Sequence, residues 1–220
     1  MNQTAKHIAY WGSFFIIILL IIWGLIAASK KATGVASDAP LDLLAPVVST
    51  DWILGSSSAP AVLVEYSDFE CPSCAAYYPV INKLIKEEGS KLQAIYRHFP
   101  LPQHGNAIIA AQAAEAAGLQ GKFWEMHDLL FEKQNEWEVI SDPRQKFSEY
   151  AQSLSLNSTT FLKDIDLDVV RNKVSNGYKE SVKNSLSYTP TFFLNGKRIQ
   201  NPQDYDAFKK IIDDTTQIHP

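Results

Sequence analysis

Cysteine is nearly absent: the 220 residues hold two, Cys71 and Cys74. A scaffold of several disulfide bridges is thereby excluded. A basic surplus is missing too, because 20 Lys and Arg face 24 Asp and Glu for a formal net charge of −4. Without a basic footprint, nucleic acid is not expected as a partner. Internal repeats and low-complexity tracts are also lacking. The remaining composition is that of an ordinary globular chain, 46% hydrophobic and 20% charged, with room for one core and an insertion.

The long uncharged run is N-terminal. Ile8 to Ala28 carries no formally charged residue, and Phe14 to Ile22 is almost purely aliphatic and aromatic. That length matches the ~20 residues needed to cross the hydrocarbon of a bilayer. Tyr10, Trp11 and Trp23 lie near its ends, where amphipathic rings favour the interface. Residues 1–30 are therefore expected to form a transmembrane anchor spanning residues 8–28, and residues 31–50 a tether. A cleaved signal peptide is the alternative, since Ala27, Ala28 and Ser29 offer small residues for cleavage. Lys6 lies on one side and Lys30 and Lys31 on the other, so flanking charge does not choose an orientation.

Beyond the tether, Ala61 to Ser67 is apolar at nearly every early position and β-branched, the pattern of a central strand covered on both faces. Ala75 to Glu88 has helical spacing, in a run that begins at Pro72 and stops at Gly89. Leu92 to Phe99 reads as a second strand, giving β-α-β with parallel pairing. Asn106 is expected to cap an alanine-rich helix from Ala107 that Gly118 ends. Helical runs follow at Lys122 to Lys133, after an Asp142 cap with Pro143 in the first turn, near Ser158 to Ile165 and at Val169 to Leu186. Asn195-Gly196 between two short apolar runs predicts a hairpin, and Asp204 to Asp213 a closing helix.

The chemistry is concentrated in Cys71-Pro72-Ser73-Cys74. At a helix start the first sulfur meets unpaired backbone N–H groups and the positive end of the helix dipole, which stabilises a thiolate. Cys71 then reads as nucleophile and Cys74, one turn on, as the resolving thiol. Zinc would need two further ligands from His98, His104, His127 or a carboxylate, and no paired histidine spacing offers them. A purely structural staple of this span would constrain the unfolded chain very little. Glu65, six residues before Cys71, has two readings: a partly exposed strand-end carboxylate, or a buried acid beneath the sulfurs that exchanges protons with Cys74. Thr189-Pro190 precedes the third strand, and its peptide is trans by default.

Cys-Pro-Ser-Cys after a strand, the helical middle, and Thr189-Pro-Thr-Phe-Phe-Leu-Asn-Gly196 together resemble the DsbA-like branch of the thioredoxin superfamily. Tyr66-Ser-Asp-Phe-Glu-Cys71 and Arg97-His-Phe-Pro-Leu101 add to the resemblance, which runs from about Trp52 to the C-terminus. It implies an α/β thioredoxin fold over residues 51–102 and 187–220, with a helical domain inserted at 103–186. It also implies a cis peptide at Thr189-Pro190 against the Cys71 sulfur, with Pro72, Ser73 and Glu65 supporting the pair.

The function so implied is a membrane-tethered, extracytoplasmic thiol:disulfide oxidoreductase acting on cysteines of exported proteins. Its N-terminus would be cytoplasmic and its body on the periplasmic side of a bacterial inner membrane. A membrane redox partner would reset the pair, because the chain has no further cysteine. No metal and no cofactor beyond the Cys71–Cys74 pair is expected. The strongly oxidising relatives have histidine where Ser73 stands, and many have glycine where Tyr188 stands, so oxidase and reductase both remain open. A non-enzymatic chaperone or metal-delivery module using the same cysteines is the alternative of a different class.

Overall fold

The computed structural model describes residues 46–218, so the expected anchor and most of the tether lie outside the described residues. Among the described residues no helix is long and apolar enough to cross a membrane. The frame is a five-stranded sheet built on β2 (Ala61–Ser67). Parallel to it runs β3 (Leu92–His98), in a register pairing Ala61 with Leu92 and Ser67 with His98. On its other side lies antiparallel β4 (Thr191–Leu194), followed by the edge strand β5 (Lys197–Arg198). The far edge is β1 (Trp52–Gly55), antiparallel to β3.

Both faces of β2 are covered, which is why its sequence does not alternate. Ala61 and Leu63 point toward Ile81 and Leu84 of α1 (Pro72–Glu88) and Phe208 and Ile212 of α8 (Tyr205–Ile218). Val64 and Tyr66 point the other way, toward Ile95, Phe99, Leu186 and Phe193. The two-residue period of a strand therefore places Glu65 and Ser67 on the α1 face, the face that carries the cysteines. Asn195 (φ 48°) and Gly196 (φ 78°) form the expected tight turn between β4 and β5.

Six helices intervene between β3 and β4: α2 (Ala107–Leu119), α3 (Phe123–Glu132), α4 (Gln134–Trp137), α5 (Arg144–Ser153), α6 (Ser158–Asp164) and α7 (Asp168–Lys183). Alanines 110, 111, 113, 114, 116 and 117 of α2 are all buried, packed among Phe123, Met126, Leu130, Trp137, Phe147 and Phe161. Small side chains let the surrounding helices approach this central one closely, and their aromatic residues supply the volume.

Three local expectations need correction. Gly118 does not end α2, which continues to Leu119. A Cβ there would lie 2.5 Å from the Trp52 ring, so Gly118 is a notch that receives β1's tryptophan. The chain leaves the helix at Gly121 instead, where φ is +77°. Asn106 precedes α2 without a side-chain capping bond; its amide donates instead to the carbonyls of Glu138 (3.1 Å) and Ile140 (2.9 Å). Pro143 is the residue flanking α5 rather than its first helical position, and Asp142 accepts the Arg144 N–H at 3.2 Å. Strand β1 was not expected at all. It is four residues long, and its attachment is tertiary: Trp52 stacks on Phe123 at 4.2 Å and donates to Glu115 at 2.7 Å.

Candidate active site

Cys71 is the residue flanking the N-terminus of α1, with extended backbone (φ −76°, ψ 121°), and Pro72 takes the first helical turn, where its missing N–H costs nothing. Cys74 follows one turn into the helix. Both are free thiols and buried, Cys74 completely and Cys71 with 7% exposure. Pro72 and Ser73 between them are exposed, so the rim of the motif faces solvent while its sulfurs do not.

The third contributor arrives from the far end of the chain. Thr189-Pro190 is cis, and the Thr189 carbonyl lies 3.5 Å from Cys71 Sγ. The buried Thr189 hydroxyl acts on the same sulfur without closing a hydrogen bond of normal geometry. Asn201 holds the Pro190 carbonyl at 2.8 Å, and the Tyr188 carbonyl accepts from Thr191 at 2.7 Å, which fixes this loop on the sheet. Tyr188 itself is half exposed beneath the Arg198 guanidinium, 5.1 Å from its ring centre.

These surroundings split the two thiols. Cys71 is drawn down to about 5, first because the Cys74 thiol donates to its sulfur. Thr189 and the backbone N–H groups of Cys74 and Ser73 add to this, against the opposing effect of burial. Cys74 is pushed well above the ordinary thiol range by burial, by donating to Cys71 and by the nearby Glu65 charge. At neutral pH the pair therefore holds one proton, on Cys74.

Glu65 is buried, with 9% exposure, rather than a partly exposed strand-end carboxylate. Burial pushes its carboxyl up to about 7; the Ser67 hydroxyl pulls it down and the Cys71 charge pushes it up again. The Ser67 hydroxyl sits among Glu65, Cys74 and Tyr96 without closing a hydrogen bond of normal geometry to any of them.

Two residues that hold the site together were not singled out from sequence. Asp68 is buried in the loop before the motif and accepts from the N–H groups of Glu70 (2.9 Å) and Leu101 (2.8 Å) and contacts His104 Nδ1 at 2.7 Å. It thereby ties the Tyr66–Cys71 segment to Arg97–Leu101. Gln134, at the start of α4, donates from Nε2 to the carbonyls of Phe69 (2.7 Å) and Cys71 (3.2 Å). Neither residue stands out by type; an Asp directly after a strand was the only local hint.

The histidines that a zinc reading would recruit are engaged elsewhere: His98 with Glu115, His104 with Asp68 and His127 with Asp128. A cleft of about 640 Å³ lies along β1 and α7, lined by Asp51, Trp52, Arg97, Lys173, Gly177 and Glu180, and neither cysteine borders it.

A stabilised sulfur at a helix start, a protonated partner one turn on and a loop from β4 across the first sulfur form a dithiol–disulfide exchange centre on a thioredoxin-type frame. The comparisons agree. The family described as Thioredoxin matches residues 48–214. BdbD from Bacillus subtilis, in its oxidised form, superposes with a TM-score of 0.69 at 27% identity, over 78% of this chain and 96% of that one. The alpha-DsbA1 of Wolbachia pipientis superposes with a TM-score of 0.70 at 22% identity, over 80% and 95%. Among sequence relatives, the Na(+)/H(+) antiporter NhaA 3 of Salinispora tropica is 35% identical over 191 residues, covering 85% of this chain. NhaA 1 of Mycolicibacterium vanbaalenii is 39% identical over 168 residues, 74% of this chain. The chain spans only 28% and 26% of those two proteins. The chain belongs to the thioredoxin family.

Proposed function

We propose that the chain works as a membrane-tethered oxidase of exported proteins, drawing two electrons from client cysteines into its Cys71–Cys74 disulfide. The observation that carries this direction is the split between the thiols. A Cys71 held as thiolate is a good leaving group and stabilises the reduced enzyme, which makes its disulfide a stronger oxidant.

In the forward reaction a client thiolate attacks Cys71 Sγ and the Cys71–Cys74 bond breaks. Cys74 departs with the electron pair and takes a proton, with Glu65 as donor. A second client thiolate then attacks the client sulfur of the mixed disulfide, and Cys71 leaves as the thiolate that its surroundings favour. The client gains a disulfide, the enzyme gains two electrons, and a membrane partner able to accept them resets the pair. Thr189-Pro190 stands where an extended client segment would lie across Cys71.

Placement outside the cytoplasm rests on the chemistry, since disulfides persist in oxidising compartments, and on the uncharged run at residues 8–28. Relatives named as antiporters, of which this chain matches a part, are in keeping with work at a membrane surface. A reporter fused after Lys31 is expected to be active only on the extracytoplasmic side; activity confined to the cytoplasm would reverse the orientation.

The equilibrium potential against glutathione tests the direction. Thioredoxin-like pairs span about −270 to −120 mV, and this pair is expected in the oxidising half. A value near −270 mV would make it a reductase. Cys71→Ser is expected to abolish exchange with a reduced peptide, and Cys74→Ala, given a peptide that carries a disulfide, to accumulate the mixed disulfide formed when the Cys71 thiolate attacks it and the other peptide sulfur leaves. Exchange that survives Cys71→Ser would remove the cysteine pair as the centre.

A further inference from the structure

Glu65 must be reloaded. A buried carboxyl that gives its proton to Cys74 in one cycle serves the next only if a proton returns from solvent. The structure contains a second buried titratable group on the way out, His127 of α3, which the exchange chemistry leaves unused.

His127 has 6% exposure and sits in an aromatic cage. The rings of Phe69, Tyr78, Tyr96, Trp124 and Phe131 approach its own at centroid distances between 4.9 Å (Tyr96) and 5.8 Å (Tyr78). For packing alone, a phenylalanine would serve this box better, because burying a polar ring costs free energy unless its nitrogens are used. One nitrogen is used: Nδ1 lies 3.0 Å from Asp128 Oδ1, and the Asp128 side chain is 43% exposed. Toward the sulfurs, His127 and Glu65 line one cavity of about 20 Å³, with Tyr78, Asn82, Tyr96 and Trp124 in its wall. A water needs roughly 10–15 Å³ and two or more polar partners. Glu65, His127, Asn82 and the Tyr96 hydroxyl, which is buried without a partner, supply them.

We propose that His127 relays protons between Glu65 and solvent at Asp128, through one water held in this cavity. The inference rests on the cysteine pair being the exchange centre. When Cys74 leaves as a thiolate it takes the Glu65 proton. The water passes a proton to the Glu65 carboxylate and takes one from the His127 imidazolium, which is reloaded at Asp128. When the pair is reoxidised, the same steps run backward and the Cys74 proton leaves. The groups facing His127 suit a carrier rather than a fixed charge. Glu65 from β2, Tyr78 from α1, Tyr96 and His98 from β3, and Asp128 beside it on α3 surround it, with Glu115 2.7 Å behind His98 and Glu132 3.0 Å from the Tyr78 hydroxyl. Burial lowers the imidazole below its ordinary value while Asp128 raises it, so it gives up a proton readily.

The test measures reduction of the oxidised full-length chain by glutathione, followed by rapid mixing, in ordinary and in deuterated water. General acid–base groups contribute about a hundredfold or more to proton-coupled steps, and His127→Phe, which keeps the cage and loses the proton, is expected to slow reduction about tenfold or more. Deuterated water should slow this variant more than the wild type, while the equilibrium with glutathione shifts less than about twofold. Asp128→Asn, a surface change that leaves His127 in its cage, should produce a smaller slowing with the same isotope signature and guards against misfolding of the first variant. Rates within about twofold of wild type in both variants would overturn the relay, as would a slowing that carries no added isotope effect. If the wild type itself failed to exchange with glutathione, the oxidoreductase reading would fall, and the two failures are thus distinct.

Discussion

Glu65 stands in the middle of a strand as a carboxyl that the fold leaves about half protonated at neutral pH. Its native value of about 7 lies above the 4.5 of an ordinary carboxyl, so the folded state binds the proton more tightly than the unfolded one. Stability from this group is full below pH 4.5 and is lost as pH rises through about 7. The shift corresponds to on the order of 3 kcal/mol. Glu65→Gln is therefore expected to raise stability by up to that amount at pH 8 and by almost none at pH 4, as read from chemical denaturation of the oxidised protein. The same variant should slow glutathione-driven reduction at pH 7. Gain in stability with loss of rate is the signature of a group kept for its proton, and a variant that lost both would mark a structural role.

At the scale of elements, two side chains join pieces that sequence places far apart. Gln134 carries α4 onto the loop before α1 through the carbonyls of Phe69 and Cys71. The Cys71 carbonyl also accepts the Ala75 N–H at 3.1 Å, so removal of Gln134 strands chiefly the Phe69 carbonyl. Gln134→Leu should cost about 1–3 kcal/mol in urea unfolding. Gln134→Glu, which has no N–H to donate, should cost at least as much. Gly118 gives a sharper test. Alanine in a helix interior is favoured over glycine by about 1 kcal/mol. Here its Cβ would strike a Trp52 ring stacked on Phe123 and covered by the Lys173 ammonium at 4.2 Å, and overpacking costs about 1–3 kcal/mol. Gly118→Ala should thus destabilise the protein by up to about 2 kcal/mol, yet stabilise it by about 1 kcal/mol in a Trp52→Ala background. The same sign in both backgrounds would disprove the notch.

These joints mark the border of what the sequence discloses. Strand β2, helix α1 and the Asn195-Gly196 turn were legible because each is specified by residues within a few positions of one another. The cysteine pair was legible because its spacing and its place at a helix start are themselves the chemistry. Asp68, Gln134 and the Trp52–Gly118 contact were not, since each acquires meaning only from a partner on another element. Asn106 misled for the same reason: its side chain suits a helix cap, and a tertiary demand from the 138–140 carbonyls took it.

For the molecule as a whole, the depressed thiol value couples redox state to stability. Reduced protein gains from the Cys71 thiolate wherever the unfolded thiol would still be protonated. That gain grows as pH rises from about 5 toward 9 and disappears as pH falls through about 5. The reduced form should therefore melt above the oxidised form at pH 7, with the gap closing toward pH 5. An oxidised form that melts higher at pH 7 would contradict the thiolate. The charged girdle on the opposite face is a separate dependency. Arg97, almost wholly buried, bonds Asp51 at 2.7 Å, Glu180 at 2.8 Å and the Tyr66 hydroxyl at 3.0 Å. Breaking such a buried pair costs about 3–5 kcal/mol, so Arg97→Met should be among the most damaging substitutions, measured by the midpoint of urea unfolding.

Strand β4 brings Thr189 to Cys71 across 118 positions of chain, and synthesis runs from the cysteines toward that strand. A ribosome therefore exposes Cys71-Pro72-Ser73-Cys74 and its helix well before the residues that complete the site exist. Until β4 docks against β2, the nascent chain carries two thiols without the Thr189 loop across them. The dithiol therefore acquires its folded reactivity only once most of the chain has been made.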